Sequence, residues 1–132
     1  MILAPLLAAC GGSVSVLHAK GASQGHGAAV TVMNTSGTRV ERLHVASTER
    51  VDRARASGVA PGSAEDDALW GNDLLDRAGL AENSTFPVEL EPGRYDVLAV
   101  DHDGREELVK GLRLSAGRKY VLELGSDFRM AR

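Results

Sequence analysis

Two of the four histidines lie near charged side chains, one on a predicted strand and one in a predicted hairpin turn, and they are the first candidates for catalysis. His102 is flanked by Asp101 and Asp103, and Arg42 precedes His44 by two positions. Nucleophilic catalysis needs a nucleophile, a base and an orienting group within hydrogen-bond reach. The chain has no G-x-S-x-G motif and only one cysteine. We therefore predict no enzymatic activity and expect His44 to be a solvated strand residue. A small hydrolase is the minor alternative, and a walled pocket around His44 would favour it.

A group of carboxylates between residues 65 and 76 is the candidate for a cation site. It consists of Glu65, Asp66, Asp67, Asp73 and Asp76. Clustered oxygen ligands suit a hard cation such as Ca²⁺, but a helix start favours carboxylates through its dipole alone. We predict no metal site and no cofactor. If a cation binds, Asp66, Asp67 and Asp73 are the candidate ligands.

Cys10 is the only cysteine among 132 residues, and it follows an apolar run over residues 1–9. A single cysteine excludes an internal disulfide, a C-x-x-C redox pair and a cysteine-based zinc site. The run is typical of the hydrophobic part of a secretory leader. It is too short to span a bilayer, which needs about 20 apolar residues. Residues 1–9 are therefore predicted to be a signal peptide.

The sequence Leu7-Ala8-Ala9-Cys10 followed by Gly11 resembles the lipobox of bacterial lipoproteins. The resemblance implies that the Cys10 sulfur carries a diacylglyceryl group, that the leader is removed, and that Cys10 becomes the acylated first residue. Each buried methylene of an acyl chain contributes about 0.8 kcal/mol, so several chains hold a protein firmly. No Lys or Arg precedes the apolar run, and we expect the true start to lie upstream. The expected location is the bacterial cell envelope, on the periplasmic face of the outer membrane in a Gram-negative organism.

Composition divides the rest of the chain into a tether and one domain. Residues 10–28, which include His18, are rich in Gly, Ala and Ser and predict a flexible tether. Residues 29–126 are predicted to form the domain, with an insertion at 48–84, and residues 127–132 to form a C-terminal tail.

Short β-branched runs bounded by turn residues predict an antiparallel all-β domain. Asp103-Gly104 predicts the tip of a two-residue hairpin, and Pro87 predicts a sheet edge. The fold class is mainly β, a small antiparallel β-sandwich of about six to seven strands with a long loop that contains short helical turns. The predicted strands lie near residues 29–34, 38–47, 85–90, 94–101, 105–114 and 119–124.

The pattern Leu-x-Pro-Gly-x-Tyr-x-Val at residues 90–97 is similar to a hairpin of prealbumin-like or immunoglobulin-like extracytoplasmic modules. Together with residues 30–47 and the WGNDLL segment at 70–75, it makes residues 29–124 resemble a group of uncharacterised small extracytoplasmic β-sandwich modules. This resemblance implies a fold, and it brings no activity.

The insertion at 48–84 is too long for a plain loop in a compact domain. Residues 63–66, Ser-Ala-Glu-Asp, predict a helix start by a capping box, and Gly79 predicts a stop. Residues 48–64 are expected to be exposed and mobile. We expect an apolar face that closes over the sandwich, made of Leu69, Trp70, Leu74 and Leu75. In the alternative, the loop is an interaction surface, and its candidate residues are Trp70, Asn72 and Asp73.

The formal net charge of −3 is spread over both signs, and the aromatic residues are two Phe, two Tyr and one Trp. This composition lacks the basic face and the stacking platforms of a nucleic-acid-binding protein. We predict a non-catalytic binding or interaction module whose partner, besides the membrane, is an envelope protein, a small molecule or a glycan. The alternative is a structural accessory subunit of an envelope complex. An exposed Trp70 would favour ligand capture, and a long unpaired edge strand would favour docking by strand addition.

Overall fold

Two four-stranded sheets pack face to face in the computed structural model, which describes residues 15–22 and 27–130. The described ranges contain eight strands and two helices. In chain order these are β1 (Val16–Ala22), β2 (Ala28–Asn34), β3 (Val40–Ser47), α1 (Thr48–Ala56), α2 (Ala64–Trp70), β4 (Thr85–Leu90), β5 (Gly93–Asp101), β6 (Arg105–Leu114), β7 (Arg118–Leu124) and β8 (Arg129–Met130). The prediction of a small β-sandwich is confirmed.

The first sheet has the order β1-β7-β2-β4, and the second has the order β3-β5-β6-β8. All pairs are antiparallel except β2 with β7, which run parallel. Pro87 lies on β4, at an edge of the first sheet, as expected. Proline lacks an N–H donor, so an edge strand tolerates it.

The core lies between the sheets and follows from the two-residue period of the strands. In β2, Val30 and Val32 point inward and alternate with half-buried residues. They pack with Leu122 and Leu124 of β7, while Leu43 contributes from the second sheet. Burying each such side chain contributes about 1.5–3 kcal/mol.

Both ends of the domain extend beyond their predicted bounds. The expectation of a flexible tether over 10–28 is wrong for residues 16–22, which form β1 and pair with β7. His18 lies on this strand, with Nε2 at 3.1 Å from Glu123 Oε2. The tail predicted at 127–132 contains buried Phe128, and Arg129–Met130 pair with the start of β6. Long-range pairing overrides the linker-like composition at both places.

The insertion contains more regular structure than expected. Residues 48–56 form α1, although 48–64 were expected to be exposed and mobile. The helix is polar except where Val51 packs inward, so its sequence shows little periodicity. The predicted start of α2 is confirmed, because the Ser63 hydroxyl accepts a hydrogen bond from the backbone N–H of Asp66 at 3.1 Å. The helix ends earlier than Gly79, at Gly71, whose φ is 72°.

The two helices cover part of the outer face of the second sheet. Trp70 is buried there with Ala46 and Val51, so the prediction that it is a core residue is confirmed. Leu75 joins the core between the sheets, whereas Leu74 is exposed, contrary to the expected shared face.

The segment after α2 closes the outer edge of β3. The backbone N–H of Leu74 donates to the Leu43 carbonyl at 2.8 Å, and that of Leu80 donates to the Val40 carbonyl at 2.7 Å. An unpaired edge invites association with other strands, and these bonds occupy this one.

The turn between β5 and β6 contains three residues, 102–104, rather than the predicted two. The backbone N–H of Gly104 donates to the Asp101 carbonyl at 3.0 Å. Gly104 has φ 81°, while Asp103 does not have positive φ, so the type I′ turn is replaced by a turn that needs glycine only at its last position. The pairing of β5 with β6 agrees with the prediction, but the extra turn residue shifts the register by one, so that Val100 lies opposite Glu106 and Leu98 opposite Leu108.

No helix within residues 15–22 and 27–130 is long and apolar enough to cross a membrane.

Candidate ligand-binding cleft

The predicted histidine and aspartate residues do not form one site. The Asp101 carboxylate is buried at the β5–β6 turn and accepts hydrogen bonds from the Arg105 side chain and from the backbone of Asp103 and Arg105. His102 is exposed in the turn, with Nδ1 at 3.0 Å from Thr38 Oγ1. His44 lies on β3, where its register partner is Leu98 rather than a residue of that turn.

The three candidate metal ligands are also separated by their roles. Asp66 accepts from the backbone N–H of Gly62 at 2.8 Å and pairs with Arg55 at 2.8 Å. Asp73 accepts from the backbone N–H groups of Leu43 and Leu75, and the bond from Leu43 joins its segment to β3. Asp67 and Asn72 are exposed. No group of three or more potential ligands gathers within the part of the chain that the structure describes.

The site with the geometry of a binding site lies on the outer face of the second sheet, where the helices leave it open. Two cross-strand rows form its floor. The first row runs from His44 on β3 through Leu98 on β5 to Leu108 on β6. The second row contains Arg42, Val100, Glu106 and Arg129.

The space above these rows is a cleft of about 630 Å³, which we call the outer-face cleft. One wall is formed by the helical layer, with Arg55, Asp66 and Trp70. The other wall is the C-terminal segment, with Asp127 and Met130. Leu108 on the floor is 47 % exposed and Met130 is 71 % exposed, so apolar surface is open to solvent here.

His44 is only 8 % exposed, and its Nδ1 is buried without a hydrogen-bond partner among the described residues. The expectation that it is a solvated strand residue is therefore wrong. Buried polar atoms in native proteins are nearly always hydrogen-bonded, and leaving one unpaired costs about 1–3 kcal/mol. The ring lines the cleft, but Nδ1 itself has almost no accessible surface, so a ligand supplies the missing bond only if the ring turns toward the cleft.

The charges in the cleft are distributed unevenly. On the helical wall, Asp66 is paired with Arg55, and on the opposite wall Asp127 is paired with Arg129 at 3.2 Å. Glu106 lies opposite Arg129 in the strand register. Arg42 makes no hydrogen bond or ion pair with any described residue, and its neighbour across the sheet is Val100. The β3 side of the floor therefore has a cation without a counter-charge.

The next row of the same face shows a contrasting polar site. Asp96 is fully buried under α1 and accepts from Thr48 Oγ1 at 2.7 Å, Lys110 Nζ at 2.6 Å and the backbone N–H of Gly111 at 2.9 Å. Burial raises the pKa of the Asp96 carboxyl, but the bonds from Lys110, Gly111 and Thr48 outweigh burial and hold it below its usual value. Gly111, at φ 67°, allows the bulge in β6 that brings its N–H to the carboxylate.

Glu107 is a second buried acid near the cleft, at the sheet end where the described chain begins. Its Oε2 accepts from the Ser15 backbone N–H at 3.3 Å, while Oε1 has no hydrogen-bond partner in the described part. Burial raises the pKa of the Glu107 carboxyl, the bonds from Ser15 oppose this rise, and the charge of Asp127 adds to it.

Sequence reasoning placed Arg42 and His44 on one polar face but missed Leu98 and Leu108 as their neighbours. The Asp-Gly turn signal predicts that β5 pairs with β6, but the two-residue turn that it implies would place Leu98 opposite Val109 rather than Leu108. The pairing of β3 with β5 spans about fifty residues and has no local signal. Without it, the cleft could not be found.

The chain matches no family model and no curated protein.

Proposed function

We propose that this protein is a lipid-anchored lipoprotein of the bacterial envelope whose β-sandwich is a non-catalytic binding module, and that the outer-face cleft is the binding site. The lipobox-like residues Leu7 to Cys10 support the anchor, and they lie outside the described residues. The observation that carries the binding function is the buried, unpartnered Nδ1 of His44 within an open cleft.

The size and lining of the cleft support this proposal. Its volume of about 630 Å³ lies within the range of roughly 300–1,000 Å³ that is typical of small-molecule sites. Such sites combine apolar surface with a few well-placed polar groups. Here Leu98, Leu108 and Met130 supply the apolar surface, and Arg42 and His44 supply polar groups.

A second candidate function, the structural accessory subunit, is favoured by the free edge of β6. In the described part of the chain, β8 pairs only with Arg105 and Glu106, and no strand pairs with the outer edge of residues 107–114. A partner strand could dock there by main-chain hydrogen bonds. Lys110 and the bulge at Gly111 lie on this edge, and both features discourage strand addition.

The small hydrolase has less support, even though His44 lies in a walled cleft. The described residues that line this cleft include no serine, threonine, cysteine, tyrosine or lysine, so His44 has no side-chain nucleophile to activate there.

The anchor is tested by fractionating cells that express the full-length precursor. We expect Cys10→Ser to move the protein from the membrane fraction to the soluble fraction. Ser13→Ala, which changes the same segment and keeps the thiol, should leave it in the membrane. If Cys10→Ser protein still sediments with membranes after a salt wash, the lipoprotein proposal is wrong.

The binding site is tested by native mass spectrometry of protein extracted from its own membranes with detergent. We expect a bound small molecule on the native protein and on Leu74→Glu, and none on Leu108→Glu. Both leucines are exposed, but only Leu108 lies on the cleft floor. Retention of the molecule by Leu108→Glu would place binding elsewhere, and recovery of a polypeptide instead would support the accessory-subunit function.

A further inference from the structure

The geometry of the outer-face cleft points to one class of ligand, and we propose that it binds a single-chain amphiphile with an anionic head group. The head would lie between Arg42 and His44, and the apolar body would cross Leu98 and Leu108 toward Met130. This inference rests on the binding function proposed above and specifies its ligand.

The first argument is the location of unused polar groups. Arg42 and His44 are two positions apart on β3, so both side chains project from the outer face. The Arg42 guanidinium has no described partner, and the His44 Nδ1 is buried without one. A carboxylate or phosphate oxygen accepts from both an arginine and an imidazole N–H. An anionic group beside β3 therefore pairs with Arg42, and it reaches the His44 Nδ1 if the ring turns toward the cleft.

The second argument is that two of the acids that line the cleft are already paired. Asp66 pairs with Arg55 and Asp127 pairs with Arg129, while Glu106 lies opposite Arg129. The Asp73 carboxylate accepts from the backbone N–H groups of Leu43 and Leu75. Asp67 is exposed on the helical wall, and burial raises the pKa of the Glu107 carboxyl. The β3 side thus favours an anion, although the protein as a whole is acidic.

The third argument is the apolar path that begins at His44. Leu98 and Leu108 follow it in register on the next two strands. Two strand spacings are about 10 Å, so an unbranched apolar chain of at least this length can lie across the row. Trp70 forms part of one wall of the cleft. Met130 lies on the opposite wall, and 71 % of its surface is exposed. A chain that covers this path would bury apolar surface that is otherwise open to water.

The test compares three probes that share a ten-carbon chain and differ in the head group: decanoate, 1-decanol and decyltrimethylammonium. Binding to folded Cys10→Ser protein is followed by fluorescence of Trp70, the only tryptophan, and by calorimetry. We expect decanoate to bind at least tenfold more tightly than decanol, and decyltrimethylammonium to bind most weakly. Equal affinity for decanoate and decanol, or a preference for the ammonium, would overturn the anionic head group.

Matched variants locate the head group. We expect Arg42→Gln and His44→Leu each to weaken decanoate binding at least tenfold. Arg50→Gln removes the same charge from an exposed position on α1, outside the cleft, and should leave the affinity unchanged. Equal losses of decanoate affinity in Arg42→Gln and Arg50→Gln would mean that the effect comes from net charge alone. That result would overturn the inference.

Two further measurements separate the possible failures. Flotation of Cys10→Ser protein with phosphatidylcholine vesicles that contain lysophosphatidylglycerol, a single-chain lipid, together with decanoate binding, would identify a membrane lipid as a source of the anion. Decanoate binding without flotation would identify a free acid. If none of the three probes binds, this inference is wrong. The proposed cleft function is then still judged by the molecule that remains bound to native protein and is lost in Leu108→Glu.

Discussion

The outer face of the second sheet contains two buried polar residues in adjacent cross-strand rows, and they are treated in opposite ways. Asp96, under α1, has three donors for its two oxygens. His44, under the cleft, has an Nδ1 with no partner among the described residues. Both side chains are less than a tenth exposed.

The difference separates a polar group that joins elements of the fold from one that the fold leaves unpaired. The hydrogen bonds to Asp96 come from α1 and from the bulge in β6, so they join the helix to the sheet. No such bonds reach His44 Nδ1, so burying this atom lowers the stability of the isolated domain. Buried polar groups without a partner are few in native proteins, and a functional role is one of the causes. The contrast therefore supports the assignment of the cleft as a binding site.

The largest effect is expected from Trp70→Ala, because this side chain packs on Ala46 and Val51 and also forms a wall of the cleft. We expect the free energy of unfolding to fall by about 3–5 kcal/mol, measured by urea denaturation. The native Trp70 should resist acrylamide quenching. Leu74→Ala, at an exposed position, should change stability by less than about 0.5 kcal/mol. Ready quenching together with an unchanged unfolding curve would mean that the helical layer does not pack on the sheet.

Asp96→Asn tests the buried residue whose oxygens all have hydrogen-bond donors. It removes a buried charge that accepts three hydrogen bonds, and we expect a loss of about 2–3 kcal/mol in urea denaturation. Asp52→Asn is the control, since Asp52 is the exposed partner of the same Lys110. It should cost no more than about 0.5 kcal/mol. Similar costs for both variants would contradict the role given to Asp96.

The same variant has a defined pH dependence. The folded-state pKa of Asp96 lies below its usual value of 3.8, so its contribution is fully present above the unfolded-state pKa. The contribution is lost as pH falls through the folded-state pKa. The difference in unfolding free energy between native protein and Asp96→Asn should therefore be constant near neutral pH and shrink below about pH 4.

His44→Leu tests the residue with the unpaired atom, and we expect it to raise the free energy of unfolding rather than lower it. Leucine has a similar size and no polar atom to leave unpaired, so we expect stability to rise by about 1 kcal/mol in urea denaturation. His102→Leu changes an exposed histidine and should give no such gain. A loss of stability in His44→Leu would show that the imidazole is already satisfied in the folded protein, and the argument from its unpaired atom would fail.

Glu107→Gln should have the smallest effect and a different pH profile. Because the folded-state pKa of Glu107 is raised above 4.5, native stability decreases as pH rises through the interval above that value. Glutamine cannot ionise, so the variant should melt slightly higher than native protein at pH 7 and no higher at pH 4. Glu82→Gln, at an exposed position, controls for the change in net charge. A difference that does not change with pH would contradict the raised pKa.

The accuracy of the sequence predictions follows the range of the interactions involved. Strands β4 to β7 were placed within one residue, because alternating side chains and local turns define each of them. The strand β1 was missed because its Gly-Ala-rich sequence forms a strand only through pairing with β7, about a hundred residues away. The helix α1 was missed because Val51 is its only inward apolar residue. The burial of His44 depends on both β3–β5 pairing and the helical layer, and neither has a local signal.

The pairing of β1 with β7 also shortens the distance over which an anchored domain can move. Ser15 is fixed to both sheets, since its N–H donates to Glu107 and its hydroxyl accepts from Gly125 at 3.1 Å. Only five peptide steps separate Ser15 from Cys10, and a fully extended chain of this length spans about 17 Å. An acylated Cys10 would therefore keep this end of the sandwich, where Asp127 to Met130 border the cleft, within a few nanometres of the lipid head groups. The domain would sample molecules at the surface of its own leaflet rather than those in the surrounding fluid.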